Sequence, residues 1–366
     1  MPMDLAMDPA NGKLDVPLKI FTLISNEKTT RRWPQHCENR WTLPINTRRA
    51  SPFWLEIWPS SQTLSVSKTP MRAKNTFPIL LVHGIARFDI LQHAVIKFIP
   101  GLRSLFGDRF HYFKGIKSFL EANGHDVRHV NLDFAGSVKT RAAELAAQVQ
   151  QVKSKVHIIA HSMGGLDARH MIVNIAGMDE KVATLTTIGT PHHGTVFADR
   201  GLTSGGTRLI DALHPLIDLE GFEDLTTAAS QKFNAQALEA EAANAVIYQT
   251  YASSQRRDQV FSLLQPSWDI IEKAEGPNDG LVSAKSQAWL PELITSNARK
   301  SIVRNHFPFP ADHLNQVGWR DRNEPHSNSK SFDSQVKNLY LDLVQSLLAH
   351  EQNVDAAGHQ RRSRGP

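Results

Sequence analysis

The central part of the chain alternates short apolar runs with longer segments of helical periodicity. The runs predict strands, and continuous apolar runs are typical of strands buried on both faces of a parallel sheet. They read "FPILLVHG", "HDVRHVNL", "KVHIIA", "VATLTTIG" and, later, "NAVIYQTYAS". Because the intervening segments predict helices, repeated strand–helix–strand units indicate an α/β fold. We expect a mostly parallel, doubly wound sheet with helices on both faces.

Two segments between the predicted strands have clear helical periodicity. In "RFHYFKGIKSFLEANG", apolar side chains share one helical face, and Gly124 fits a helix end. These side chains are Phe110, Phe113, Ile116, Phe119 and Leu120. In the alanine-rich "SVKTRAAELAAQVQQV", the inward face is predicted to carry Val138, Leu145 and Val149. Both helices are expected to cover the sheet.

The pattern changes outside this region, which suggests the domain organisation. Residues 1–76 are rich in Pro, Thr, Ser and Arg and are predicted to be an N-terminal extension, with a short hairpin at "FWLEIWP". Residues 77–350 form the predicted α/β domain, which closes with the amphipathic helix "FDSQVKNLYLDLVQSLL". Within it, residues 195–243 are irregular and contain short helical pieces such as "TRLIDALHPLIDL". Residues 351–366 are predicted to be a flexible tail.

Composition narrows the class of protein. The chain has 366 residues, 41% of them hydrophobic and 21% charged, which is typical of a soluble globular protein. No apolar run approaches the roughly 18 residues that span a bilayer, so no integral membrane segment is expected. A single cysteine, Cys37, excludes an intramolecular disulfide and thiolate metal sites.

The net charge bears on whether the protein binds nucleic acid, and the N-terminal sequence bears on its cellular location. The net charge of +5 comes with basic pairs near the ends and without a basic stripe in the predicted fold, so no nucleic-acid partner is expected. The run "VPLKIFTLIS" is interrupted by Lys19, and no small-residue cleavage site follows it. This favours a cytoplasmic location over a secreted one. Oligomeric state has no signature here.

The segment "HIIAHSMGGLDARHM" places Ser162 between a predicted strand and a predicted helix. A serine nucleophile needs a base within reach and backbone N–H groups near the developing oxyanion. A sharp strand-to-helix turn provides both, and its crowding requires the small residues Ala160 and Gly164. The pattern is Ala-x-Ser-x-Gly where Gly-x-Ser-x-Gly is usual. The alternative is a serine that caps the helix.

The backbone N–H groups that stabilise the oxyanion are expected to come partly from a loop after an earlier strand. In "LLVHGIARFD", Gly84 allows a tight turn that exposes the next backbone N–H group. We therefore predict an oxyanion hole formed by the backbone N–H groups of Ile85 and Met163. His83, just before the turn, is expected to have a structural role.

The acid and the base should follow the serine, in that order. Asp279 lies in "PNDGLVS", where Asn, Asp and Gly favour a turn that can present a carboxylate. His313 lies in "PADHLNQVGW", before the last predicted helix. The sequence leaves rivals open, namely Asp258, Asp269 and Asp312 for the acid, and His306 and His326 for the base.

Five motifs in order carry a resemblance to a known family. "VHGIARFD", "IIAHSMGGLDARHM", "TTIGTPHHGT", "NDGLVS" and "DHLNQV" are similar to the motifs of bacterial triacylglycerol lipases of the α/β-hydrolase fold, over roughly residues 77–319. The resemblance implies Ser162 as the nucleophile, His313 as the base and Asp279 as its carboxylate. It also implies an oxyanion hole at Ile85 and Met163 and a lid, which we place within residues 195–243.

The resemblance also raises the question of calcium. Many relatives hold a structural calcium with an aspartate in an L-D-P-S segment and another two residues after the catalytic histidine. Here those positions are Gln265 and Asn315. Two neutral amides would bind a hard dication weakly, so no metal and no other cofactor is expected.

The predicted activity is hydrolysis of lipid carboxylic esters through a Ser-His-Asp triad and an acyl-enzyme. The expected partner is the ester or lipid substrate, with transient contact to a lipid interface. The apolar stretch "DILQHAVIKFIPGLRSLFG" would suit a long acyl chain. Two alternatives remain open. One is an acyltransferase that uses an alcohol acceptor on the same triad. The other is a non-catalytic lipid-binding or interaction protein on a hydrolase fold.

Overall fold

A computed structural model describes residues 76–85, 111–134, 136–202, 220–320 and 329–363. All of them lie within the unit that runs from Lys68 to Pro366. The predicted N-terminal extension and its hairpin lie outside the described residues, as do the apolar stretch 89–107 and the segment "TRLIDALHPLIDL".

Six parallel strands form the main sheet, and two short strands form an antiparallel pair. The spatial order in the main sheet is β2-β1-β3-β4-β5-β8, and β6 pairs with β7. The strands are β1 Ile79–Val82, β2 Val127–His129, β3 Val156–His161, β4 Val182–Ile188, β5 Ile247–Ala252, β6 Glu292–Ile294, β7 Arg299–Ser301 and β8 Val303–His306. The prediction of a mostly parallel sheet is confirmed.

Helices follow most of the strands. The α-helices of the described residues are α1 Ile116–Ala122, α2 Val138–Gln150, α3 Met163–Asn174, α4 Met178–Lys181, α5 Val196–Gly201, α6 Thr227–Ala243, α7 Gln265–Glu275, α8 Ala284–Ala288 and α9 Ser329–Ser363. Short 3₁₀ turns lie at Glu220–Leu225, Arg257–Gln259, Ser262–Leu264 and Asn315–Val317. Among these helices none is long and apolar enough to cross a membrane.

Apolar side chains divide into two clusters, one on each face of the sheet. Along β1, Ile79 and Leu81 join one cluster, whereas Leu80 and Val82 join the other. This is the period of two expected of a strand whose faces are both covered. The first cluster includes side chains from α1 and α9, and the second includes side chains from α2 and α3. The doubly wound arrangement is thus present in the packing.

Of the two helices predicted from periodicity, α2 lies where it was predicted and α1 is shorter than predicted. Helix α2 begins after Ser137, whose hydroxyl oxygen accepts a hydrogen bond from the Thr140 N–H group at 3.2 Å. Its inward residues Leu145 and Val149 are fully buried. The helix predicted upstream is shorter than its apolar face suggested, because α1 begins only at Ile116, after the left-handed Gly115.

The structure differs from the predictions at three places. Within the segment 195–243, which was predicted to be irregular, the described residues include α5 and α6, the latter a regular 17-residue helix. Strand β8 was not predicted, since its exposed sequence "VRNH" lacks an apolar run. The tail was predicted to begin at residue 351, but α9 continues to Ser363 and Glu351 is buried.

Candidate active site

Ser162 lies at a sharp turn between β3 and α3. Its φ of 57° and ψ of −133° belong to a region that non-glycine residues rarely adopt. Such strain is characteristic of functional turns that the surrounding structure imposes. The Ser162 N–H group donates to the Ile188 carbonyl at 2.9 Å, which attaches the turn to β4. The side chain makes no capping hydrogen bond to α3, so the helix-cap interpretation is wrong.

Glycines around this turn allow other segments to approach the serine closely. A Cβ at Gly84 would come within 2.6 Å of the Ser162 Cβ, and a Cβ at Gly164 within 2.7 Å of the His83 carbonyl oxygen. Contacts below 3.0 Å are essentially absent between real Cβ atoms and their neighbours. The loop after β1 therefore lies directly against the candidate nucleophile, because both glycines lack side chains.

The candidate base and acid are joined by two hydrogen bonds. His313 Nδ1 lies 2.8 Å from Asp279 Oδ2, and the His313 backbone N–H donates to the Asp279 carbonyl at 2.8 Å. An ionised carboxylate only accepts hydrogen bonds, so Nδ1 carries the proton and Nε2 is left with a lone pair. The His313 ring lies 4.6 Å from the ring of His161, the residue before Ser162. The base is thus beside the serine turn.

Asp279 is fully buried and accepts hydrogen bonds at both oxygens. Its Oδ1 accepts from the Leu281 and Val282 N–H groups at 2.9 and 2.8 Å. Its Oδ2 accepts from His313 and from the Gln316 side-chain amide, the latter at 2.8 Å. The turn in "PNDGLVS" therefore orients this carboxylate before any substrate is present.

The rival residues have other positions and partners. Asp312 accepts hydrogen bonds from three backbone N–H groups, those of Phe261, Leu314 and Asn315. Asp258 and Asp269 are exposed and pair with arginines. His306 is exposed at the end of β8, and His326 lies outside the described residues.

The predicted oxyanion donors lie on the two segments that meet at the serine. Met163 is the first residue of α3, where backbone N–H groups have no partner within the helix. Ile85 follows Gly84 in the loop after β1. Both side chains are buried, and a Cβ at Gly221 would come 2.8 Å from Met163 Cε and 3.1 Å from Ile85 Cδ1. The 3₁₀ turn within the predicted lid segment therefore packs against both residues.

His83 has the structural surroundings expected for it. Its Nδ1 lies 2.8 Å from the Gly84 carbonyl oxygen, and its Nε2 accepts from the Leu132 N–H group at 3.2 Å. Burial, and to a lesser extent the Arg141 charge, lower the pKa of His83 to about 3. The ring is therefore neutral and holds the loop that precedes Ile85.

Sequence reasoning missed a second set of polar residues beside the candidate triad. Tyr112, His161 and Gln316 are buried there and bonded to one another. Gln316 follows His313 by three positions, so one turn of chain brings it back to Asp279. His161 is part of the serine motif, but no sequence pattern linked it to Tyr112.

At one of the two candidate calcium positions, the side-chain amide of Asn315 is bonded to the backbone. Asn315 Oδ1 accepts a hydrogen bond from the Asp312 N–H at 3.2 Å, and its Nδ2 donates to the Trp319 carbonyl at 3.0 Å. Both ends of the amide are thus engaged with backbone. Within the described ranges, no group of three or more His, Cys, Asp or Glu side chains could hold a metal ion.

Sequence comparisons relate this chain to one domain family and to proteins named as lipases. Residues 123–215 match the family model of the PGAP1-like alpha/beta domain. Triacylglycerol lipase 2 of Saccharomyces cerevisiae is 30% identical over 226 residues, which cover 58% of this chain and 63% of that protein. A triacylglycerol lipase of Vibrio cholerae is 29% identical over 64% of this chain and 81% of its own length.

A solved structure supports the fold. The crystal structure of a metagenomic carboxyl esterase matches with a TM-score of 0.52 and 19% identity, over 76% of each chain. Together with the parallel sheet and the serine turn between β3 and α3, this likeness shows the α/β-hydrolase fold.

Proposed function

We propose that this chain, an α/β-hydrolase by fold and similar in sequence to triacylglycerol lipases, hydrolyses carboxylic esters of lipids. The observation that carries the proposal is the buried His313–Asp279 pair beside the strained turn of Ser162. A serine, a base and an orienting carboxylate are the parts that acyl transfer needs.

In the first step, Ser162 Oγ attacks the ester carbonyl carbon while His313 Nε2 takes the hydroxyl proton. The lone pair on Nε2 is available because Nδ1–H donates to Asp279. The negative charge on the carbonyl oxygen is stabilised by the backbone N–H groups of Ile85 and Met163. Loss of one such donor typically costs about 10²–10³-fold in rate.

The tetrahedral intermediate then collapses to an acyl-enzyme. The bond to the leaving alkoxide breaks, and His313 gives its proton to that oxygen, so the alcohol leaves neutral. Water repeats the sequence, with His313 accepting its proton and returning it to Ser162 Oγ as the carboxylic acid forms. Asp279 stabilises the charged imidazole that occurs in both steps.

The substrate class follows from the named relatives. The yeast and Vibrio proteins are named as triacylglycerol lipases, and we infer a glyceride-like or other lipid ester for this chain. Hydrolysis and acyl transfer differ only in the acceptor of the second step. Product analysis with added alcohol would detect an ester product if this chain transferred its acyl group to an alcohol.

The proposal is tested with Ser162→Ala and His313→Ala on p-nitrophenyl esters of increasing chain length. We expect each change to lower kcat by on the order of 10³-fold or more, because the residues act as one unit. A fluorophosphonate should label the wild-type protein at Ser162 and fail to label Ser162→Ala.

His306→Ala is the matched control, since this exposed histidine lies at the end of β8. It should retain near wild-type turnover. Normal turnover by Ser162→Ala would contradict the assignment. So would a large loss of turnover in His306→Ala together with normal turnover in His313→Ala.

A further inference from the structure

We propose that Tyr112, His161 and Gln316 are positioning residues that form one hydrogen-bonded relay. It runs from Gly84, in the loop after β1 that carries the Ile85 N–H group, to Asp279, the catalytic acid. The relay would fix the position of this loop relative to Asp279. This inference rests on the proposed function, and it adds three residues to the machinery of the site.

The contacts of the relay are short and buried. The Gly84 backbone hydrogen-bonds the Tyr112 hydroxyl. Tyr112 Oη lies 2.6 Å from His161 Nδ1, and His161 Nε2 lies 2.8 Å from Gln316 Oε1. Gln316 Nε2 lies 2.8 Å from Asp279 Oδ2. His161, Gln316 and Asp279 each have a relative exposure of 0%, and that of Tyr112 is 6%.

The direction of every bond follows from the partners of the Gln316 amide. Its Nε2 lies near Asp279 Oδ2 and, at 2.7 Å, near Ser253 Oγ. A carboxylate only accepts, and the Ser253 hydroxyl proton is already donated to the Ala311 carbonyl at 2.8 Å. Both partners therefore require a donor, and this places the amide nitrogen toward them.

The rest of the relay is then determined. Gln316 Oε1 must accept from His161 Nε2–H, so a neutral His161 has its lone pair on Nδ1 and accepts from the Tyr112 hydroxyl. Burial is the largest cause that lowers the pKa of His161 well below its usual value, so the ring is neutral. The Tyr112 oxygen accepts from Gly84, so all four bonds donate toward Asp279.

Bonds that donate in one direction polarise each other and strengthen the last bond of the chain. The Gln316 N–H therefore competes with His313 Nδ1–H for the same carboxylate oxygen. It keeps Asp279 in one orientation and disperses part of its charge. The relay passes close to Ser162, because Gly84 approaches the serine closely and His161 precedes it in the chain, with its ring 4.6 Å from that of His313.

The backbone makes room for this arrangement at Gly189. This residue has a φ of 61°, and a Cβ there would overlap Gln316 Oε1. The glycine of "TTIGTP" therefore leaves the space that the Gln316 amide occupies.

The test uses the full chain with Gln316→Met and Tyr112→Phe, which keep shape and remove the relay's donors. Tyr340→Phe is the matched control, because this buried tyrosine donates only to the Gln316 main-chain carbonyl, at 3.1 Å. We expect Gln316→Met to lower kcat by on the order of 10-fold with little change in KM, because a misplaced acid costs rate rather than binding.

The pH profile distinguishes positioning from loss of stability. Without the Gln316 donor, Asp279 carries more charge toward His313, so the acid limb of kcat/KM should move to higher pH. Among the described residues, Asp279 bonds the His313 ring and the His161 ring lies against it, and both remain in this variant. Tyr112→Phe should act in the same direction, and Tyr340→Phe should leave the acid limb unchanged.

A double-mutant cycle between Tyr112 and Gln316 tests the relay most directly. The double variant Tyr112→Phe with Gln316→Met should lose less rate than the product of the two single losses, because each change breaks the same chain. Multiplicative losses, or an unchanged acid limb in a folded Gln316→Met protein, would overturn the relay.

A second measurement is independent of ester turnover. The downfield ¹H resonance of His313 Nδ1–H should shift in Gln316→Met and Tyr112→Phe, and stay in place in Tyr340→Phe. If the wild-type protein hydrolysed no ester, the proposed function would fail while this resonance still tested the relay. If hydrolysis were normal and the resonance did not move, only the relay would fail.

Discussion

Asn315 and Asp312 show how neighbouring side chains determine the role of a single residue at this site. Asp312 adjoins the candidate base, yet its two oxygens accept three backbone N–H groups. Asn315 occupies a position where the lipase resemblance implies a calcium ligand, but both ends of its amide are bonded to backbone. Both residues hold the loop around His313 in shape through hydrogen bonds to the backbone.

Removal of divalent metal should therefore leave the protein unchanged. Neutral amide ligands contribute no charge to an oxygen site, and a metal that does not bind the folded state cannot raise its stability. We expect excess EDTA to alter neither the melting temperature nor ester turnover. A fall in melting temperature that added calcium reverses would show that other oxygens supply a site.

Besides its apolar contacts, helix α9 is attached to the sheet through one carboxylate. Glu351 lies in the C-terminal half of this helix, 2.8 Å from His157 Nε2 on β3. The same carboxylate accepts from the Thr76 and Phe77 N–H groups at the start of β1, at 3.0–3.1 Å. Burial acts to raise the pKa of Glu351, but the hydrogen bonds outweigh it and lower that pKa. Residues far apart in the chain are thereby joined.

Glu351→Ala should lower the free energy of unfolding by about 2–4 kcal/mol, because it leaves buried N–H groups and His157 without an acceptor. Glu351→Gln keeps the shape and one acceptor oxygen, so its loss should be smaller. Urea unfolding of both variants at pH 7 measures the difference. Equal stability of Glu351→Ala and wild type would show that the helix end is held by its apolar contacts alone.

Across the whole molecule, several buried histidines are held neutral. Burial lowers the pKa of His83, His161 and His192. The unfolded chain binds protons at these groups below about pH 6.5, whereas the folded protein does not. Folding stability is therefore fully present above that pH and falls as the pH drops toward the lowered values. Asp167 acts in the opposite sense, since burial raises its pKa to about 7.

We expect the free energy of unfolding to be lower at about pH 5.5 than at about pH 7.5. The lowered pKa of each buried histidine costs stability over this interval, and the raised pKa of Asp167 offsets only part of that loss. Urea titrations at the two pH values measure it. His192→Phe keeps the stack on Trp289 but cannot titrate, so it should show a smaller difference. Higher stability of the wild type at pH 5.5 would contradict this account.

Local sequence patterns predicted the class of fold and the residues of the candidate site, although they left rivals open for the acid and the base. Buried strands have continuous apolar runs, so β1, β3, β4 and β5 were predicted near their observed positions. Ser162, Asp279 and His313 lie in short turn motifs whose chemistry is local, and the structure brings the acid and the base together beside the serine turn.

Only the tertiary structure determined the features that depend on distant segments. The exposed strand β8 forms because β5 offers it a partner, which its own polar sequence does not reveal. Glu351 is ordered by residues at the other end of the domain. The relay joins Tyr112, His161 and Gln316 from three separate parts of the chain. Hydrogen-bond direction and burial arise from such long-range contacts, whereas periodicity and turn chemistry are properties of neighbouring residues.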